Sequence, residues 1–108
     1  MNFKTIEEGR QIAIISYITI IGLVIAISMN SDKKNEYARF HIRQALGLSI
    51  LFYTISLFIG YFNSWMISGS FYVFFVTLWV FGLTNAIQSE YKPIPLLGDY
   101  FQDWFKNI

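Results

Sequence analysis

QALGLSILFYTISLFIGYFNSWMISGS, Gln44 to Ser70, contains no Asp, Glu, Lys, Arg or His, and the uncharged run continues to Ser89. One helix over that length would overshoot the bilayer, so the chain must turn inside it. Asn63, Ser64, Ser68, Gly69 and Ser70 cluster as turn residues do. They divide the run into two expected spans, about 45–62 and 71–87. Neither span alternates lipid-facing with lumen-facing residues as a barrel strand would. Backbone groups in lipid must then be satisfied within helices.

Upstream, Ile12 to Met29 is also uncharged, and about 18 residues at 1.5 Å each give roughly 27 Å, close to the hydrocarbon thickness. This is the expected first span. It exceeds the core of a secretory signal peptide, and Glu7 and Glu8 stand where signal peptides carry few acids. The fold class is therefore an all-α integral membrane protein with three transmembrane helices, one membrane domain over 1–108. Composition agrees, with 55% hydrophobic and 14% charged residues against about 25% charged in soluble domains. A net charge of +1 gives no pull on nucleic acid. The absence of cysteine removes thiol chemistry and cysteine metal sites.

Three spans put the loop 30–44 and the tail 88–108 on one side, with six basic residues there against two on the other. The C-terminus is expected to be cytoplasmic and the N-terminus outside, in a bacterial inner membrane. Tyr61 and Trp65 fit the outer aromatic belt, and Tyr37, Tyr91 and Trp104 the inner one.

The loop is expected to turn helical after a cap at Ser31 or Asp32, extending the second span on the cytoplasmic side. On that helix Glu36, Arg39 and Arg43 form a charged stripe, beside Tyr37, His41 and Gln44, with Phe40 between them. A lone His41 without a second His or Cys is no metal ligand set, and no catalytic group, cofactor site or metal site is expected. In the tail, Pro93 and Pro95 prevent a regular helix at its start. Helix is expected to resume after Gly98 with Asp99 as cap, aligning Tyr100, Phe101, Trp104, Phe105 and Ile108 into an amphipathic interfacial helix. This helix is poor in Lys and Arg, so docking on the protein's own face is expected, with Arg39 and Arg43 meeting Asp99 and Asp103.

Within the spans, Gly22 and Ala26 permit close helix approach. Asn85 near the end of the third span needs a partner in lipid.

Ala38-Arg-Phe-His-Ile-Arg-Gln-Ala-Leu-Gly47, with Gly82-Leu-Thr-Asn-Ala86 and Lys92-Pro-Ile-Pro-Leu-Leu-Gly98, resembles the Tic-twenty-like family of small bacterial membrane proteins. That family is similar to an inner-envelope subunit of the chloroplast import translocon. The resemblance marks Phe40, His41, Arg43, Gln44, Pro93, Pro95 and Gly98, and implies an oligomeric channel or protein-translocation component. The residues themselves suggest a non-enzymatic subunit or scaffold, with the lipid bilayer and a second copy or another membrane protein as partners. Its docking surface would comprise Arg39, Phe40, His41, Arg43, Gln44, Pro93, Pro95, Gly98 and Trp104. Lipid-headgroup binding by Arg39 and Arg43 is a third expectation.

Overall fold

The computed structural model describes residues 3–90 and 92–107, and these form five helices: α1 (Phe3–Ser16), α2 (Ile20–Lys33), α3 (Glu36–Ile59), α4 (Trp65–Ile87) and α5 (Gly98–Trp104). The roles expected of Tyr91 and Ile108 lie outside the described residues. The bundle is elongated, 49 × 23 × 22 Å.

Among the described residues, two helices are long and apolar enough to cross a membrane, α3 and α4. In the most apolar window of α4 only 22% of residues are buried, with Val73, Phe74, Val76 and Val80 all outward. Such a surface suits lipid. The turn between the two helices comes earlier than the polar cluster suggests. Ser64 caps α4 by accepting from the Ile67 amide, so Ser68, Gly69 and Ser70 fall inside the helix.

The expected first span, 12–29, is not one helix. It breaks after Ser16 and restarts at Ile20 as two arms of 14 residues each, about 21 Å long and too short to cross. Three side chains account for the break. Ser16 Oγ donates to the Ala13 carbonyl. Thr19, in extended backbone, caps α2 by accepting from the Gly22 amide. Trp79 Nε1 of α4 donates to the Tyr17 carbonyl at 2.6 Å, satisfying a group that the turn frees.

The two arms form a hairpin. Asn35, just past α2, donates from Nδ2 to the Thr5 carbonyl at the start of α1. Arg10 of α1 donates to the Ile87 carbonyl at the end of α4. The beginning of α1 therefore shares an end of the bundle with the first loop and the end of α4, whereas a single span over 12–29 would have carried it to the opposite end. At the other end of the hairpin, Ile18–Ile21 face Tyr53 of α3 and Phe75–Val80 of α4 across one apolar cleft. The tip is thus level with the middle of α4.

Caps also differ from expectation. Helix α2 runs through Ser31 and Asp32 to Lys33, Lys34 turns the chain with φ 49°, and Asn35 caps α3 through the Ala38 amide. Asn30 and Asn35 lock this corner with reciprocal bonds of 3.2 and 2.9 Å. From Glu36 the helix continues unbroken into the second long apolar segment. In the tail, α5 starts at Gly98 with no side-chain cap, so Asp99 sits in its first turn instead of capping it.

Candidate functional site

The spacing of Tyr37, His41 and Gln44 puts them on one face of α3, and that face is fully buried. Gln44 Nε2 donates to the Tyr17 hydroxyl at 2.9 Å, and that hydroxyl lies 2.8 Å from His41 Nδ1. His41 Nε2 lies 3.0 Å from the Glu90 carbonyl. A carbonyl only accepts, so Nε2 carries the proton, and as a neutral imidazole His41 then accepts a hydrogen bond at Nδ1 from the Tyr17 hydroxyl. Gln44 Oε1 in turn accepts from the Ile94 amide at 2.6 Å. One polar chain therefore joins the α1–α2 tip, α3 and the tail.

Tyr37 does not lie in an aromatic belt. It is wholly buried, its hydroxyl donates to the Asn85 and Ala86 carbonyls, and its ring meets His41 edge-on at 4.8 Å. Asn85 is buried too, with Nδ2 donating to the Lys92 carbonyl. Its own carbonyl holds the Glu90 amide. Tyr61 and Trp65, at the opposite end, are 86% and 85% exposed.

On the adjoining face of α3, Arg43 grips the end of α5. Its Nε donates to the Phe105 carbonyl at 3.1 Å, Nη2 to the Lys106 carbonyl at 2.7 Å, and Nη1 to Gln102 Oε1 at 3.4 Å. Arg39 adds a bond to the Lys106 carbonyl and pairs with Glu36. Cations on the last carbonyls suit the negative end of a helix. Asp99 and Asp103 are not the partners. Among the described residues, the ion pairs are Arg39–Glu36 and Lys92–Glu90.

The apolar side of the clasp is Phe101, fully buried against Gly47, where any Cβ would strike the ring. Gln102 Nε2 donates to the Phe40 carbonyl at 2.7 Å. The expected apolar stripe therefore divides: Phe101 turns inward, while Tyr100 and Trp104 pack together on the outside. Pro93 packs on Gly98, Pro95 is exposed, and Phe40 is half-buried beside His41. Gly22 and Ala26 lie on the buried side of α2, Gly22 against the Ile15 carbonyl.

Tyr17, Trp79, Asn35 and Gln102 are site residues that the sequence did not single out. Tyr17 could have been suspected as a polar-tipped aromatic in the middle of an apolar run, a setting in which a hydroxyl needs a partner. Among the described residues, no group of three or more His, Asp or Glu forms a metal cluster. The arrangement holds segments together, and the Tyr17 hydroxyl and the His41 imidazole that it pairs with are both buried.

The model of the magnetosome magnetite crystal formation protein family, MamF/MmsF, matches residues 8–100. The chain belongs to that family. No curated protein and no solved structure matches it. Membership of MamF/MmsF overturns the resemblance to the Tic-twenty-like family. The residues that carried it, His41, Gln44 and the Pro93–Gly98 bend, interlock α3 with the tail in this chain. Two membrane-capable helices in a magnetosome family make this a membrane protein.

Proposed function

We propose that this chain is a non-enzymatic scaffold subunit of the membrane in which its family forms crystals. In this reading α3 and α4 cross the bilayer, and the α1–α2 hairpin enters halfway and returns. The observation that carries it is the distribution of charge. Neither Gln11–Ser31 nor Gln44–Ser89 contains Asp, Glu, Lys, Arg or His, so all eight basic and all seven acidic residues gather at one end of the bundle. That end is the cytoplasmic one by the basic-residue bias of membrane proteins. Its exposed aromatic pair, Tyr100 and Trp104, beside the Pro93–Pro95 bend, is the docking surface for a second copy or another membrane protein. The apolar opposite end, with Tyr61 and Trp65, rests in the far interface.

Topology is tested with single cysteines, since the chain has none of its own. Lys4→Cys and Lys92→Cys should be labelled from the cytoplasmic side, and Asn63→Cys from the other. Labelling of Lys4→Cys from the far side would restore a three-span arrangement. For the scaffold role, a photocrosslinking residue at Trp104 should yield protein adducts in native membranes, while one at buried Phe101 should not. Lipid adducts alone at Trp104 would remove the docking surface. In a magnetite-forming host, loss of the chain should change crystal size or number, and the Arg43→Ala variant should fail to restore it.

A further inference from the structure

The hairpin tip leaves polar groups open at a depth where lipid chains have nothing to offer them. Thr19 takes the Gly22 amide with its hydroxyl and the Leu23 amide with its carbonyl. The Ile20 and Ile21 amides just before them have no partner among the described residues. Amides of a first helical turn point out of the helix along its axis. Here they open into the cleft of about 480 Å³ between the tip, α3 and α4. Its far wall is an aromatic corner, in which Phe52 stands edge-on to Phe75 and Trp79 at centroid distances of 5.8 and 6.3 Å.

A second set of donors lies on the other side of Ile20. Ile20 and Tyr53 also border a cleft of about 410 Å³ that runs between α2 and α3. Ser49 lines that cleft and is only 3% exposed, yet its hydroxyl bonds to no group among the described residues. The Tyr53 hydroxyl, where the two clefts meet, is likewise without a partner there. Irregular backbone at membrane depth is tolerated only against protein or a polar occupant. Two separated sets of donors call for an occupant with two acceptors.

We infer that the joined clefts bind one isoprenoid quinone, one ring carbonyl accepting from the Ile20 and Ile21 amides, the other from the Tyr53 and Ser49 hydroxyls, and the ring resting on Phe52, Phe75 and Trp79. A quinone carries two carbonyl acceptors on a flat ring and dissolves in the hydrocarbon itself. A phospholipid keeps its ester carbonyls at the interface, a leaflet's depth away. Largely apolar walls with a few placed polar groups are the usual form of a small-molecule pocket. On the side open to lipid, Ile21 and Val80 are 69% and 55% exposed, which gives the isoprenoid tail a way out. The Ile18 carbonyl at the same turn has no partner among the described residues and can accept from a hydroxyl of the reduced, quinol form. The inference rests on the membrane placement proposed above, which sets the tip at mid-depth.

The test uses the full chain in mild detergent with Trp65→Phe and Trp104→Phe, so that Trp79 is its remaining tryptophan. Decylubiquinone is added and the quenching of Trp79 fluorescence is read. Quenching should saturate at one quinone per chain, and decylbenzene, which has no acceptors, should not displace it at equal concentration. Tyr53→Phe and Ser49→Ala should each raise the Kd about fivefold, the worth of one hydrogen bond. Tyr72→Phe, which removes a hydroxyl of α4 outside both clefts, should leave it unchanged. Ile20→Phe, which keeps every donor but fills the junction, should weaken binding as well. Quenching that grows linearly with quinone and ignores every variant would be collision in the micelle and would overturn the site. Displacement by decylbenzene would make the clefts a resting place for hydrocarbon chains instead. Saturable binding unchanged in both hydroxyl variants would mean that water, not a quinone carbonyl, meets those hydroxyls, and would also sink the proposal. If Ser49→Ala fails to fold, Tyr53→Phe decides alone. Labelling of Lys4→Cys in membranes separates the two readings. A cytoplasmic label without saturable quenching rejects the quinone only, whereas a label from the far side removes the hairpin and its clefts together.

Discussion

Gln44 is the residue on which the most depends, because both ends of its amide are used inside the protein. Replacing it with Leu keeps the volume but leaves the Ile94 amide without an acceptor and Tyr17 without a donor. An unsatisfied buried amide costs about 1–3 kcal/mol. Gln44→Leu should therefore destabilise by about 2 kcal/mol or more in detergent unfolding titrations, and Tyr37→Phe by about 1 kcal/mol, a typical single hydrogen bond. Equal, negligible effects would show that the polar chain is ornamental. The helical spacing of Tyr37, His41 and Gln44 was legible in the sequence. That this face is buried was not, since its partners stand 27 and 50 residues away from Gln44. Nor could spacing show that Arg43 would choose carbonyls over Asp99 and Asp103, because a helix end has no side-chain signature.

Among the elements, the apolar runs predict α3 and α4 well, because nothing inside them offers the backbone an alternative to helix. The break between α1 and α2 escapes the same reasoning. The stretch from Ile12 to Met29 holds neither proline nor an obvious turn pair, and its one glycine, Gly22, falls after the break. What stops the helix is in part tertiary, a donor from Trp79 that only the folded chain supplies, and in part a local cap at Thr19 that the apolar run around it obscures. Trp79→Phe should cost about 1–3 kcal/mol by leaving the Tyr17 carbonyl unpaired. Gly22→Leu tests the hairpin more directly. A Cβ there collides with the Ile15 carbonyl, so the arms cannot close and the run is free to straighten into a helix long enough to span. A cysteine at position 4 should then become accessible from the opposite side of the membrane in an appreciable fraction of molecules. Labelling that stays on the original side, with the variant fully inserted, would show that the hairpin tolerates the side chain and that its turn is fixed elsewhere.

At the scale of the whole molecule, the hairpin changes how charge is counted. Reading six basic residues against two assumed that Lys4 and Arg10 lay across the membrane from the loop, whereas Arg10 reaches the end of α4 on the loop's own side. Composition gave the membrane class, but sidedness depended on a fold that composition does not contain. The same geometry separates insertion from tail docking. Insertion draws on α3 and α4, the helices long and apolar enough to cross a membrane, where each central Leu, Ile, Phe or Val contributes about 0.3–0.6 kcal/mol. Docking of α5 draws on one buried ring and the arginine clasp, a few kcal/mol at most. Gly47→Leu should therefore expel Phe101 and free α5 without moving the chain out of the membrane. In inside-out vesicles the tail of this variant should become sensitive to protease while the membrane-bound fraction stays at the parent level. Loss of membrane association together with the tail would mean that α5 is part of the inserted frame. Protection of the tail despite the added side chain would mean that Arg39 and Arg43 hold it without Phe101.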